Sequence, residues 1–271
     1  MEHRFQMTSY LSQRHQISDT GIAVSPLGLG TVKMGRNTAV KYPQHFEIPD
    51  DTQVQNLLSQ AWELGINLLD TAPAYGNSEQ RLGELLKKQN HGWIIATKVG
   101  ETFNAETGES HYAFSPEVIT ASIHQSLKRL KQDVLDIVLI HSDGNDKTII
   151  EQGALEVLAD LKQQGLIRAT GMSTKTVEGG LLALQQADLA MVMHNIEYQQ
   201  EQAVLDQAAQ DNKGIFIKKA LASGHLNTDS VQNNFDFIYS HSAVSSIIIG
   251  TISPAHLEDN VAKVIRALTK I

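Results

Sequence analysis

What most constrains the fold is a repeat of pattern, not of residues. Short, almost uninterrupted apolar runs alternate along the chain with longer amphipathic segments. The runs are INLLD (66–70), WIIATK (93–98), LDIVLIH (135–141), LIRATGMS (166–173), LAMVMHN (189–195), GIFIKK (214–219) and SSIIIG (245–250). Strands apolar on both faces belong in a parallel sheet covered by helices. SPLGLGT (25–31) is a weaker candidate for the first of eight.

The segments between these runs read as helices. Residues 51–64 place Val54, Leu57, Leu58, Ala61, Trp62 and Leu64 at three- and four-residue spacing. Residues 115–130 open with Ser115-Pro116-Glu117, a cap followed by proline at the first helical position. Segments 78–88, 151–164, 174–186, 203–211 and 254–268 read similarly, whereas 227–241 is the poorest helix and leaves a loop open. Eight strands each followed by a helix favour a closed (β/α)8 TIM barrel over a flavodoxin-like or Rossmann sheet. At 271 residues the chain has the length of one such barrel, so 1–271 is expected to be a single domain with a tail over 1–13. Residues 14–24 suggest a small N-terminal β-hairpin turning at Asp19-Thr20-Gly21. The stretches 33–50 and 100–114 lack periodicity and follow strands, so both are expected as irregular loops at the catalytic face.

Composition removes several function classes. The formal net charge is -8, which gives no basic footprint for nucleic acid. There is no cysteine, hence no disulfide, thiolate metal site or cysteine nucleophile. The histidines form no HExxH or HxH pair, and His111 and His124 read as solvated, so no metal is expected. The N-terminal stretch lacks the apolar core of a secretory signal, and no apolar run reaches membrane-spanning length; a cytoplasmic protein without membrane contact is the expectation.

Polar residues that close barrel strands converge at the C-terminal mouth. Asp70 closes the second run, Lys98 the third and His141 the fourth, and Tyr75 follows Asp70 in DTAPAYGNSE. Each alone has an ordinary structural reading, as a cap, a turn former or a solvated group. Together they suit proton donation to a carbonyl. A cation beside the tyrosine lowers its pKa, a carboxylate keeps the lysine charged, and a neutral imidazole holds the carbonyl oxygen.

At this point the sequence resembles the aldo-keto reductase superfamily. NLLDTAPAYGNSEQRLGELL, ATK, LIH, GMS, HNIEY and IIIGTISPAHLEDN are similar to its motifs in order and spacing, over roughly residues 15–265. The resemblance implies a (β/α)8 barrel that reduces small aldehydes or ketones with NADPH, or with NADH. It implies Tyr75 as general acid, Lys98 as the partner lowering its pKa, Asp70 paired with Lys98, and His141 orienting the carbonyl. It also implies cofactor contacts. Gly30 and Thr31 would lie beside the nicotinamide ribose and pyrophosphate. Ser173 and Asn195 would hold the carboxamide, and Leu221 and Ser223 would line the pyrophosphate groove. Gly250, Thr251, Ser253, His256 and Asn260 would hold the adenosine end, with Asp70 and Lys218 also near the cofactor.

The chain departs from the family pattern at three places. Lys218 stands where many members place an aromatic residue against the nicotinamide. Gly250 and His256 stand where other branches carry a lysine and an arginine. His141 is followed by the unusual SDGNDK. GLGTVK (28–33) imitates a dinucleotide fingerprint but has Lys33 in place of the third glycine and no evident helix after it. Two rival functions stand beside the reductase: a Schiff-base aldolase using Lys98, Lys218 or Lys219, and a redox-sensing module that holds the cofactor without turnover. A glycosidase would need a second strand-end carboxylate beside Asp70, and the sequence offers no clear one.

Overall fold

The computed structural model describes residues 11, 13–40, 42, 45–89, 91–221 and 228–270. Its centre is a closed barrel of eight parallel strands. They are β3 (Leu27–Gly30), β4 (Leu68–Asp70), β5 (Ile94–Val99), β8 (Leu135–His141), β9 (Ile167–Ser173), β10 (Leu189–Met193), β11 (Gly214–Lys218) and β12 (Val244–Ile249). They pair in that order, and β12 closes onto β3 through Ile247↔Leu27 and Ile249↔Leu29. The chain is thus a (β/α)8 TIM barrel, not an open sheet.

The alternation within each strand explains why the apolar runs are continuous. Leu68, Ala96, Ile137, Leu139, Ala169, Leu189, Met191 and Phe216 fill the barrel interior. Their neighbours Leu69, Ile95, Val138, Ile140, Ala190, Ile215 and Ile217 pack outward against the helices. Both faces are dry, so neither selects polar residues. The hairpin β1 (His15–Gln16) and β2 (Ala23–Val24) is antiparallel, as expected, and closes the bottom of the barrel with Ile17, Ile22 and Val24.

The outer ring comprises α2 (Asp51–Glu63), α3 (Ser78–Leu85), α4 (Pro116–Leu130), α6 (Ala154–Gln163), α7 (Val177–Gln186), α8 (Gln202–Gln210), α9 (Thr228–Tyr239) and α10 (Pro254–Leu268). Short α1 (Val32–Gly35) and α5 (Asp146–Glu151) lie at the mouth. Caps fix several starts. Asp50 and Gln53 form a reciprocal capping box, and the Ser115, Thr176 and Ser253 hydroxyls accept first-turn amides.

Two local expectations are corrected and one open reading is decided. Residues 100–114 are not irregular: β6 (Glu101–Asn104) and β7 (Glu109–Tyr112) form an antiparallel hairpin that also carries His111. Most of the segment 227–241 is helical, as α9, because Phe235, Ile238 and Tyr239 bury against the core. A short helix does follow GLGT, since α1 begins at Val32. No helix among the described residues is long and apolar enough to cross a membrane.

Candidate active site

Period-two alternation decides what enters the mouth. Counting two residues on from interior Leu68, Ala96, Leu139 and Phe216 gives Asp70, Lys98, His141 and Lys218 at the top of the same interior face. The Lys98 ammonium donates to Asp70 Oδ1 at 2.6 Å and to the Thr71 carbonyl at 2.8 Å, with both side chains almost wholly buried. Its Nζ also lies 4.7 Å from the centre of the Tyr75 ring. The Tyr75 hydroxyl is 3.5 Å from Asp70 Oδ2. The Tyr75 and His141 rings meet edge to face with centroids 6.4 Å apart. The four expected groups are therefore brought together.

The loop that carries Tyr75 is locked from below. Thr31 Oγ1 donates to the Asp70 carbonyl at 3.0 Å and lies 2.7 Å from Ser78 Oγ, to which Thr71 also donates. Buried Glu79 accepts from Thr97 at 2.6 Å and pairs with Arg129 at 3.2 Å. Glycine is required where the loop meets α1. A Cβ on Gly35 would collide with the Tyr75 carbonyl and the Ser78 amide, and one on Gly76 would strike the Gly35 carbonyl. Gly76 also has a positive φ of 63°, a conformation L side chains rarely adopt.

Burial, followed by the Asp70 charge, holds the Tyr75 phenol well above its ordinary value. The ammonium is committed to Asp70, and the carboxylate is the nearer influence on the hydroxyl. A phenol so placed stays protonated, which is the form a proton donor needs.

The hairpin supplies a partner that the sequence did not reveal. Glu101 Oε2 lies 2.7 Å from His141 Nδ1, and Ser110 donates to Glu101 Oε1 at 2.6 Å. Burial pushes the Glu101 carboxyl up, but His141, Ser110 and Tyr112 outweigh it and bring the pKa down to about 2. Burial lowers the His141 pKa, and Lys98 and Lys218 add to that against the pull of Glu101. The imidazole is neutral at pH 7. Arg36 stacks on Phe103 of the hairpin at 3.4 Å, and Lys33 sits 4.1 Å over the Tyr42 ring. Tyr42 is pushed up to about 12 by burial and then by the Asp70 charge. Its hydroxyl lies 2.8 Å from where a Gly250 Cβ would stand. Nothing in KYPQHF marks Tyr42 as a site residue. Glu101 had one signal, its place three residues after Lys98.

Across the mouth, the residues expected at a cofactor are spread over five strand ends, those of β9 to β12 and of β3. Lys218 Nζ donates to Ser173 Oγ at 2.9 Å and to the Thr174 carbonyl at 2.5 Å. Burial pushes its ammonium down to about 8, with Glu201 opposing. Asn195 Oδ1 accepts from the Glu197 and Tyr198 amides, and its Nδ2 is 3.4 Å from the Lys219 carbonyl. Gly30 is buried at the end of β3, and Leu221 packs on the core; Ser223 lies outside the described residues. Ser253 caps α10, whose first turn holds no acidic residue, and Thr251 Oγ1 accepts from the Ser253 amide at 3.1 Å. His256 is exposed in that turn, and Asn260 is buried on the same helix. Hydroxyls at a helix N-terminus and a first turn without a carboxylate suit a phosphate-bearing dinucleotide. Thr31 is the exception, because its hydroxyl turns inward to Asp70 and Ser78.

Comparison with known proteins agrees with this geometry. The family model for the aldo/keto reductase family matches residues 26–235. A crystal structure described as an aldo-keto reductase from Pseudomonas aeruginosa is 50% identical, with TM-score 0.86, covering 94% of this chain and 95% of that one. Pyridoxine 4-dehydrogenase of Escherichia coli (strain K12) is 28% identical over 89% of each chain. The NADH-specific methylglyoxal reductase of the same organism is 31% identical over 72% of this chain and 60% of its own. The chain spans about half the length of several other curated relatives. With the closed barrel and the grouped strand-end residues already in place, the family match has one reading: the chain belongs to the aldo/keto reductase family of oxidoreductases, whose members use nicotinamide cofactors.

Proposed function

We propose that the protein reduces small aldehydes or ketones to alcohols with NADPH, with Tyr75 as the proton donor. The observation that carries this reading is the buried Asp70–Lys98 pair with the Tyr75 phenol against it, at the ends of adjacent β4 and β5. Asp70 anchors the Lys98 ammonium, and the pair gives the mouth a fixed dipole where the substrate oxygen gains charge. Tyr75 keeps its proton until that oxygen becomes basic enough to take it. A bound dihydronicotinamide would supply the hydride. Ser173 and Asn195 would hold its amide, and Thr251, Ser253, His256 and Asn260 at the start of α10 would take the adenosine end beyond Gly250. The absence of acid from the first turn of α10 favours the extra phosphate of NADPH, and His256 adds a donor. A Schiff-base role for Lys98 is disfavoured, since two acceptors already engage its ammonium.

The test is a fluorescence titration with NADPH and NADH, followed by an aldehyde screen that includes methylglyoxal and reads loss of dihydronicotinamide absorbance. Tighter binding of NADPH with turnover supports the proposal. Tight binding without turnover supports a sensor instead, and failure to bind either coenzyme removes both readings.

A further inference from the structure

The hairpin β6–β7 brings a carboxylate behind the ring that faces the substrate. Glu101 is 8% exposed, and its Oε1 accepts the Ser110 hydroxyl. Its Oε2 stands 2.7 Å from His141 Nδ1 but off the ring N–H direction, so Nδ1 makes no well-directed hydrogen bond among the described residues. A carboxylate charge this close repels a lone pair on Nδ1 and favours a proton there. A neutral imidazole has one N–H. With that proton on Nδ1, Nε2 carries a lone pair and accepts.

We infer that Glu101 is a positioning residue that fixes the proton of His141 on Nδ1, making neutral His141 an acceptor for an alcohol hydroxyl instead of a donor to a carbonyl oxygen. This rests on the proposed function for the place of the substrate oxygen. It also reverses the expectation that a neutral imidazole holds the carbonyl. Only the doubly protonated ring donates from Nε2, so carbonyl recognition strengthens as pH falls through the His141 pKa. The groups that act on this ring are Tyr75 from the β4 loop, Lys98 of β5, Glu101 of β6 and Lys218 of β11. Tyr112 of β7 and Arg36 after α1 act through Glu101. Lys98 and Lys218 oppose protonation of the ring and Glu101 favours it.

Ring-nitrogen NMR of the full chain labelled with 15N-histidine tests this directly, with His141→Asn assigning the signal. Above the ring pKa the wild type should show Nδ1 protonated and Nε2 bare. In Glu101→Gln that preference should be lost and the ring pKa should fall by about one unit or more. Ser110→Ala, which leaves the carboxylate in place and removes a donor that stabilises its charge, should keep the tautomer and should not lower the ring pKa. With NADPH and methylglyoxal, the wild-type KM should fall toward low pH through the ring pKa, and that inflection should move with the pKa in Glu101→Gln. A wild-type ring protonated on Nε2, or a tautomer and pKa unchanged in Glu101→Gln, overturns the inference. The spectra need no turnover, so an inactive protein with Nδ1 protonated would sink the reductase reading and leave the Glu101–His141 pairing standing.

Discussion

The strand ends of β4, β5 and β8 and those of β9 to β12 share one mouth but are held in opposite ways. On the first side the polar groups hold one another: Lys98 on Asp70, Tyr75 beside both, His141 against Glu101. On the second side each group is held mostly by backbone, with Asn195 in its own turn, Thr251 and Ser253 on each other, and Lys218 on Ser173 and Thr174. The first arrangement is a coupled unit in which removing one member strands another. The second is a set of groups held one or two at a time, and apart from buried Lys218 each is replaceable at modest cost. Chemistry needs the coupled unit, because pKa values and orientation depend on neighbours; binding a long dinucleotide needs only donors at intervals.

The comparison breaks most sharply at Lys98. Lys98→Met leaves Asp70 buried without its counter-charge and should cost about 3–5 kcal/mol of stability by denaturant unfolding. A loss below about 1 kcal/mol would show that water reaches the carboxylate and that the unit is not coupled.

Glu101 offers a test by pH. Its folded pKa of about 2 lies below the unfolded value near 4.3, so its contribution is full above about pH 4.3 and is lost as pH falls through about 2. The size is on the order of 3 kcal/mol. Thermal unfolding of the wild type and Glu101→Gln should differ most at pH 6, with the gap narrowing at pH 3. A constant gap would mean that the carboxylate is not held down in the folded protein.

Glycines sharpen the contrast on a smaller scale. Gly35→Ala drives a methyl into the backbone at Tyr75 and Ser78, so about 1–3 kcal/mol of stability and part of the activity should be lost together. Gly250→Ala meets only the end of the Tyr42 side chain, which can swing aside, so stability should change by about 0.5 kcal/mol or less. Equal losses at the two glycines would erase the distinction.

At the far end of the second side, His256→Arg should raise preference for NADPH over NADH by about tenfold through a charge-assisted contact, read as a ratio of binding constants. An unchanged ratio would place the extra phosphate elsewhere.

The same division governs what the sequence disclosed. LDIVLIH is β8 residue for residue, and Ser115-Pro116 marks the start of α4, because burial on two faces and helix capping are local signals. Asp70, Tyr75, Lys98 and His141 were legible since each ends a strand or follows one closely. The hairpin was not, because exposed Glu109-Ser110-His111 shows no apolar alternation. Tyr42 was missed for a related reason, since no spacing along the chain encodes its place beside Gly250, and the approach of Glu101 to His141 is signalled only by its position three residues after Lys98. Helix α9 hid its apolar face among Asn, Asp and Gln, and only packing against the core made that face visible.

The central claim is that the coupled unit on the first side performs the proton transfer while the second side only binds. Single-turnover reduction of methylglyoxal by Tyr75→Phe, with NADPH affinity titrated on the same sample, tests it most directly. The hydroxyl acts only during chemistry, so hydride transfer should slow by about 10²–10⁴ while NADPH affinity stays within a few fold. Hydride transfer at the wild-type rate in Tyr75→Phe would contradict the assignment of Tyr75 and, with it, the division of the mouth into a reacting side and a binding side.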